Sequence, residues 1–283
     1  MPEPDLTLIP ASRYSLEALT GLYNQTRADY LIPMQLDPAG LADYMRLYDV
    51  DLEHSWVAQA GSQVLGLAML GVRPGCTWIT RLGVLPEGRR GGTGGALLRG
   101  LLDSTRALGC PLAILEVIQG NAPAQALFLK TGFKPMRELL ILRRPPGPQA
   151  DAPAGIANWL DASQALARLA AYPEPLPWTN APQTYRNGGD AQGLSVDLGE
   201  SGRGWLVFRR QPDQLSHAVL HTQAGDPQLV GQALLAHLYA RFPELPSSFE
   251  NVPAADPHLP ALLRAGCREA FSRMEMRLVL GRE

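Results

Sequence analysis

The sequence predicts an α+β fold class, with two tandem domains that are each built on a mixed α/β sheet. The chain has 283 residues, a length that usually corresponds to about two domains. In its first half, three apolar strands precede a glycine-rich loop, a helix and a fourth strand, and this strand-helix-strand unit favours parallel pairing. The same order of elements returns in the second half. We therefore predict domains at residues 1–145 and 156–283, joined by a proline- and glycine-rich linker at residues 146–155.

Composition and charge are typical of a globular protein in aqueous solution. Hydrophobic residues make up 46% of the chain and charged residues 18%, and the net charge of -2 argues against a surface that binds nucleic acid generally. Residues 1–10 lack the basic and apolar segments of a signal peptide, and no apolar run approaches the ~18 residues of a membrane span. We expect a cytoplasmic protein that binds neither nucleic acid nor membrane, and the oligomeric state stays open.

The cysteine and histidine pattern indicates neither a disulfide framework nor a metal site. Cys76, Cys110 and Cys267 are odd in number and far apart, and no Cys-x-x-Cys or paired histidine spacing accompanies them. His217 and His221 share one face of a predicted strand but lack a third ligand. The pattern favours buried reduced thiols and structural histidines.

The first half reads as alternating strands and helices with clear helix starts. Ser15 is a good N-cap for the first helix, and Asp37 followed by Pro38 is typical of the start of the second. The predicted strands are residues 6–9, 55–60, 64–72, 76–84, 112–118 and 137–142.

The stretch at residues 82–102 organises this half. A strand that ends at Val84 enters a loop, and a helix with a regular apolar face follows. The loop glycines are Gly88, Gly91, Gly92, Gly94 and Gly95. Without Cβ atoms, such a loop turns several backbone N-H groups toward one point, and the unpaired first-turn amides and dipole of the helix add to them. The loop is a predicted anion site suited to phosphate, with Arg89 and Arg90 at its rim.

Two common nucleotide motifs do not fit this loop. A P-loop requires Gly-Lys-Ser/Thr after its last glycine, whereas Gly94 is followed by Gly95 and Ala96. A dinucleotide fingerprint would place Leu97 where a third small residue belongs. The alternative to a phosphate site is a glycine-rich turn that binds no ligand.

The loop resembles the coenzyme A loop of the GCN5-related N-acetyltransferases (GNAT). That family's pattern is Arg or Gln, two residues, Gly, one residue, then Gly or Ala, and the matching residues are Arg89, Arg90, Gly91, Gly92, Thr93 and Gly94. The resemblance implies that backbone amides from about Arg90 to Gly95 hold the pyrophosphate of acetyl-CoA. It also implies that the strand edge at Leu82, Gly83 and Val84 pairs with the pantetheine arm.

A second match lies at residues 115–133 and covers the next strand and helix. The family segment reads Leu-Glu-Val, Asn, Ala, Leu-Tyr and Gly-Phe, and the matching residues are Leu115, Glu116, Val117, Asn121, Ala126, Leu127, Phe128, Gly132 and Phe133. Two matches in the right order on the right elements identify the first half as a member of the GNAT family. Asn121 is either a hydrogen-bonding residue for the cofactor or only the N-cap of its helix.

The resemblance implies a direct acyl transfer with Glu116 as general base. Glu116 is similar to the glutamate that serves this role, through water, in ribosomal-protein N-acetyltransferases, and its apolar strand would raise its pKa. The alternative is a structural carboxylate. Phe128 stands where many family members have the tyrosine that protonates the leaving thiolate. The thiolate therefore leaves unprotonated, or takes its proton from water or a side chain such as Tyr30, or the domain binds the cofactor without turnover. Phe128 is still suited to pack on the pantetheine arm, and residues 24–36 either shape the acceptor pocket or form an ordinary apolar loop.

The second half reads as a degenerate repeat of the first. The predicted elements are a helix at 163–171, strands at 194–198, 205–209 and 215–221, a helix from Asp226 and a last strand at 271–280. Residues 231–235 echo residues 94–98, and residues 251–267 echo residues 121–133. On the first alignment Asp226 replaces Arg89 and Leu229 replaces Gly92, which would exclude phosphate. We expect one coenzyme per chain, bound by the first half.

The sequence thus predicts a tandem GNAT chain with two acyl-CoA N-acyltransferase-like domains, an arrangement also found in mycothiol synthases. The expected activity is acetyl-CoA-dependent N-acetyl transfer to an amine of a small molecule or peptide. The alternative is a noncatalytic acyl-CoA-binding or interaction protein, which Phe128 and the degenerate repeat motivate.

Overall fold

A computed structural model describes residues 6–32, 34–148 and 154–281. Contacts divide the chain into two compact units, Met1–Met136 with Glu275–Glu283 and Arg137–Met274. The predicted domains, 1–145 and 156–283, were defined by the duplication in the sequence and not by contacts, and these boundaries stay a prediction. Half of the predicted linker, residues 149–153, lies outside the described residues. So do residues 1–5 of the segment that was compared with a signal peptide.

The first unit contains the helices and strands that the glycine-rich stretch connects. They are β1 (Leu6–Pro10), α1 (Leu16–Thr26), α2 (Pro38–Leu47), β2 (Val50–Ala60), β3 (Gln63–Arg73), β4 (Cys76–Val84), α3 (Thr93–Ala107), β5 (Leu112–Ile118) and α4 (Ala122–Lys130). Both predicted N-caps are confirmed. The Ser15 hydroxyl accepts from the Ala18 amide at 3.2 Å, and the Asp37 carboxylate accepts from the Gly40 amide at 2.7 Å.

The sheet of the first unit is mixed, as predicted. Strands β1 to β4 pair antiparallel with their neighbours, and β4 pairs in parallel with β5. On one face, α1 and α2 bury an apolar cluster that includes Leu19, Leu41, Val57 and Met69. Burial of such side chains contributes about 1.5–3 kcal/mol each and fixes α1 against the sheet beside the glycine-rich loop.

The second unit repeats this order of elements. They are β6 (Lys134–Arg144, in this unit from Arg137), β7 (Ile156–Leu160), α5 (Ala162–Ala170), α6 (Pro182–Gly188), β8 (Ala191–Asp197), β9 (Gly202–Arg210), β10 (Leu215–Gly225), α7 (Pro227–Arg241), β11 (Ser247–Pro253), α8 (Leu259–Arg264) and β12 (Arg268–Val279, in this unit to Met274). Strands β7 to β10 pair antiparallel in order, β10 pairs in parallel with β11, and β11 pairs antiparallel with β6. Its core includes Phe208, Leu234, Leu238 and Phe249.

Three elements of the second unit, β7, α6 and β11, were not predicted. Strand β7 follows directly on the proline- and glycine-rich segment, and its half-exposed residues give no apolar run. Helix α6 is short, begins at Pro182 and ends before Gly189, within a stretch whose prolines favoured a loop.

The echo between residues 121–133 and 251–267 is confirmed at its C-terminal end and is wrong at its N-terminal end. After α4 and α8, Gly132 and Gly266 have φ of +98° and +94°, and the next residue bonds back across the helix end in both copies at 3.1 Å. Asn121 caps α4, but Asn251 lies inside β11 with φ of +55°. The copies differ because a longer turn separates β11 from α8, so matching the two asparagines aligned residues with different positions.

Candidate active site

Strands β4 and β5 pair only at their beginnings. The parallel pairs run from Cys76 with Leu112 to Ile79 with Leu115, and Glu116 is the next residue along β5. Beyond this point β4 has a bulge, where Arg81 takes φ of +53° and the register with β3 shifts. The two strands therefore part at Glu116, and its carboxylate stands at the apex of the cleft between them.

Residues 82–84 form the wall of this cleft on β4. Gly83 and Val84 pair with Leu67 and Gly66 of β3 on one side, while pairing with β5 has ended on the other. Helix α1 packs directly on this segment, since a Cβ at Gly83 would lie 2.5 Å from the Thr26 hydroxyl oxygen. No strand of the described residues pairs with this segment on the β5 side, so an extended ligand arm can lie along it, next to the Leu82 and Val84 carbonyls that accept from Arg27 and Arg89.

The glycine-rich loop leads from this strand to the start of α3. A short 3-10 turn at Pro86–Gly88 is followed by Arg90 with φ of +63° and Gly92 with φ of +81°. Gly92 is the N-cap, it has no side chain to accept a bond, and the amides of the first turn lack intrahelical partners. These amides and the helix dipole suit a pyrophosphate, so the donor set fits coenzyme A.

Arg89 is already ion-paired at the rim of the loop. Its guanidinium donates to both oxygens of Asp29, at 2.5 and 2.7 Å, and its Nε donates to the Val84 carbonyl at 3.2 Å. The hydrogen bond from Arg89 lowers the pKa of Asp29 below its usual value. Arg89 therefore ties the segment after α1 to the loop, and Arg90 is the exposed cation beside it.

Helix α4 packs against the first turn of α3. A Cβ at Gly94 would lie 3.5 Å from the Leu127 side chain, so the two helices approach closely. Asn121 accepts from the Ala124 amide at 3.3 Å, as an N-cap, and also donates to the Tyr30 hydroxyl at 3.3 Å. Phe128 is 5% exposed and its ring packs edge-on against Phe133 at 6.0 Å. The cofactor roles of Asn121 and Phe128 stay predictions.

A group of two arginines and three tyrosines lies beside the bulge of β4, and we call it the arginine-tyrosine cluster. Its members are Arg27, Arg81, Tyr23, Tyr30 and Tyr44. The Arg81 guanidinium lies 3.9 Å from the Tyr44 ring centre and donates to the Tyr23 hydroxyl at 2.6 Å. The Arg27 guanidinium lies 4.2 Å from the Tyr30 ring centre and donates to the Leu82 carbonyl at 3.2 Å.

Sequence analysis missed this cluster except for Tyr30. One signal was present, because Arg81 is the only charged residue of an otherwise apolar β4. Arg27 gave no signal, since a polar residue at the end of an amphipathic helix is ordinary.

The electrostatics link the cluster to Glu116. Burial raises the pKa of Tyr44, Arg81 opposes this, and the Glu116 carboxylate raises the pKa further. Tyr44 therefore keeps its proton near neutral pH, and its hydroxyl is hydrogen-bonded to Thr80. Glu116, Tyr44 and Arg81 influence one another at the point where the strands part.

The corresponding helix start in the second unit is closed by its own residues. Asp226 caps α7 by accepting from the Gln228 amide at 3.0 Å, and Pro227 supplies no N-H at the first helical position. The echo between Gly94 and Gly231 has a structural counterpart, because a Cβ at Gly231 would lie 3.0 Å from the Ala261 side chain on α8. A carboxylate thus fills the place that a phosphate would take.

Strand β11 carries a glutamate in a setting unlike that of Glu116. The Glu250 carboxylate accepts from Arg143 at 2.9 Å and from Arg273 at 3.3 Å. Burial alone would raise the pKa of Glu250, but the two arginines outweigh burial and the net shift is downward. This carboxylate is held as an anion in a structural ion-pair network.

The two histidines and three cysteines singled out in the sequence are at least partly buried. Burial, with Arg209 nearby, lowers the pKa of His217 to about 4, so the ring is neutral, and His221 packs against Trp205. Cys110 and Cys267 are buried free thiols, and Cys76 is a half-buried one. In residues 6–32, 34–148 and 154–281, no three His, Cys, Asp or Glu side chains form a group that could hold a metal ion. None of the helices found there has the length and apolar character needed to cross a bilayer.

Comparison with protein families identifies the first unit. The family model described as acetyltransferase (GNAT) family matches residues 19–133, which include the glycine-rich loop and both strands of the cleft. This segment of the first unit matches the GNAT family. GNAT proteins are acyl-CoA-dependent N-acetyltransferases in general, and the match supports this activity class for the first unit. No curated protein matches the chain by sequence.

Solved structures show that the GNAT fold extends over the whole chain. A GCN5-related N-acetyltransferase from Sphaerobacter thermophilus has 15% identity and a TM-score of 0.68, covering 99% of this chain and 98% of that chain. A tandem GNAT protein from the clavulanic acid biosynthesis pathway has 14% identity and a TM-score of 0.63, covering 99% and 100%. An acetyltransferase from Pyrococcus horikoshii has 12% identity and a TM-score of 0.64, covering 98% and 90%. These likenesses show the tandem fold.

Proposed function

We propose that the chain transfers the acetyl group of acetyl-CoA directly to an amine of a small molecule or peptide, with Glu116 as general base. The observation that supports this most is the position of Glu116, one residue beyond the last pair between β4 and β5. The phosphate-binding loop lies at the far end of the same strand β4. A ligand stretched along residues 82–84 from the loop would present its reactive end near Glu116.

Acetyl-CoA, when bound, supplies an activated thioester carbonyl. The first-turn amides of α3 bind its pyrophosphate, and the edge of β4 orients its extended arm. Glu116 accepts a proton from the acceptor ammonium, so that a neutral nitrogen attacks the carbonyl. The attack breaks the C–S bond, and coenzyme A leaves as a thiolate that needs a proton. Phe128 has no proton to donate, so the proton comes from water or from a hydroxyl of this region such as that of Tyr30 or Tyr44.

The second candidate function is binding of acyl-CoA without turnover. It is favoured by Phe128, whose ring is buried against Phe133 and carries no hydroxyl. The carboxylate at the apex of the cleft favours the enzyme, because coenzyme binding alone gives no use for an anion there.

Release of coenzyme A from acetyl-CoA, followed with a free-thiol reagent across amines, polyamines, aminoglycosides and peptide N-termini, tests the proposal. The expected result is release that depends on one class of acceptor. The reagent should react little with the protein's own Cys76, because burial raises the pKa of this thiol to about 11 and little reactive thiolate is present. Coenzyme binding without acceptor-dependent release would contradict the enzyme and support the second candidate.

We also infer that each chain binds one coenzyme, in the first half, and that the second copy is degenerate. Isothermal titration with coenzyme A is expected to give a stoichiometry of one. Gly94→Asp places a carboxylate in the first turn of α3, two residues beyond the N-cap position that Asp226 occupies at α7, and should abolish binding. Asp226→Ala is the matched control and should leave the stoichiometry at one. Two sites per chain would contradict the inference.

A further inference from the structure

The arginine-tyrosine cluster contains two guanidiniums whose donors are only partly used. Arg27 is 8% exposed, yet its Nε-H is buried without a hydrogen-bond partner, and the same holds for the Nε-H of Arg81. Each guanidinium has one donated bond, from Arg27 to the Leu82 carbonyl and from Arg81 to the Tyr23 hydroxyl. The two guanidiniums are close to each other, because both contact the Tyr23 ring.

Aromatic rings lie against both guanidiniums of this pair. The Tyr23 ring centre is 5.3 Å from the Arg27 guanidinium and 4.8 Å from the Arg81 guanidinium. The ion pairs found in the described part of the first unit, among them Arg73 with Asp49 and Arg89 with Asp29, involve other residues. Cation-π contact stabilises the two charges but leaves the buried Nε-H of each guanidinium without a hydrogen bond.

Buried charge of this kind is costly unless an anion compensates it. An unpartnered buried donor costs about 1–3 kcal/mol, and a buried cation without a counterion costs more. A planar carboxylate matches the guanidinium fork in charge and geometry. The tyrosine rings hold both guanidiniums in place before any ligand arrives, which lowers the entropy cost of binding.

We propose that Arg27 and Arg81 together bind a carboxylate carried by a substrate. This inference rests on the proposed acyl transfer, because Arg27 bonds to Leu82, at the start of the β4 edge assigned to the pantetheine arm, and Arg81 shares Tyr44 with Glu116. The carboxylate belongs either to the amine acceptor, as in an amino acid or short peptide, or to the acyl group, as in succinyl-CoA. Both sources present the same chemistry to the two arginines.

Matched substrates distinguish the two sources. L-alanyl-L-alanine is compared with its C-terminal amide as acceptor, and succinyl-CoA with acetyl-CoA as donor, in wild type and in Arg81→Gln and Arg81→Lys. We expect the carboxylate-bearing member of one pair to have a kcat/KM about ten- to a hundredfold higher. Arg81→Gln should reduce that ratio to near one, and Arg81→Lys should keep part of it. Arg106→Gln, an exposed arginine of α3 that pairs with Asp103, is the control and should keep the full ratio.

Binding measurements separate this inference from the proposed function. Calorimetry needs no turnover: the dipeptide should bind more tightly than its amide if the acceptor carries the carboxylate, and succinyl-CoA more tightly than acetyl-CoA if the acyl group does. Either preference should be reduced in Arg81→Gln and in Arg27→Gln. Coenzyme A affinity and the melting temperature of each variant establish that the fold and the loop are intact. Tighter binding of the carboxylate-bearing ligand without any acyl transfer would contradict the proposed transferase activity and support the carboxylate site. Equal binding and equal rates for acid and amide, and for both donors, would overturn the site.

Discussion

Glu116→Gln is expected to lower kcat/KM for acyl transfer by about 10²–10⁴-fold, with coenzyme A affinity unchanged. Glutamine keeps the shape and hydrogen-bonding capacity of the side chain but cannot take the proton of the acceptor ammonium. Because Glu116 stands where β4 and β5 part, away from the proposed phosphate loop, the loss should fall on the chemical step. The measurement is thiol release under saturating acetyl-CoA, with coenzyme affinity from calorimetry.

The pH profile distinguishes a base from a structural carboxylate at Glu116. In wild type the rate should rise with pH on a limb that reports the base, and this limb should be missing in Glu116→Gln. Glu53→Gln changes an exposed glutamate of β2 and should match wild type in rate and profile. A normal rate in Glu116→Gln would exclude Glu116 as the general base. A lowered melting temperature with an unchanged dependence of rate on pH would show that the carboxylate has a structural role.

Local sequence signals were sufficient for the elements that form the cleft. The predicted strands 76–84 and 112–118 coincide with β4 and β5, because each is an apolar run bounded by residues that break strands. The loop and the start of α3 also follow from local chemistry, since only glycine readily takes φ of +81° at position 92.

The residues that surround the apex could not be predicted in the same way. Arg81 and Tyr23 are 58 positions apart and meet only because α1 packs on β4 at Gly83. The bulge that turns Arg81 into the cluster arises from pairing with β3 and has no mark in the sequence of β4. Arg89 had been assigned to the coenzyme loop from the family pattern, but nothing local indicated that Asp29 would be its partner.

The degenerate second copy gives the other large expected effect, on stability. Glu250→Ala should lower the free energy of unfolding by about 2–4 kcal/mol, because Arg143 and Arg273 would lose their common carboxylate while Arg273 stays largely buried. The value lies toward the low end for a broken buried pair because the Arg143 side chain is 42% exposed and water can reach it. Urea unfolding followed by circular dichroism measures the change, and Glu200→Ala, at an exposed turn of the same unit, should change it little.

The effect of pH on Glu250 tests whether charge is responsible. The two arginines lower the pKa of Glu250 in the folded chain, so its stabilising contribution is present above the ordinary glutamate pKa and is lost as pH falls through the lowered value. Glu250→Gln should therefore be less stable than wild type at neutral pH, and the difference should shrink on acidification. An equal difference at all pH values would mean that packing, and not the ion pair, makes this position important. A shrinking difference would show that the charge of the Glu250 carboxylate, shared by Arg143 and Arg273, stabilises the second unit.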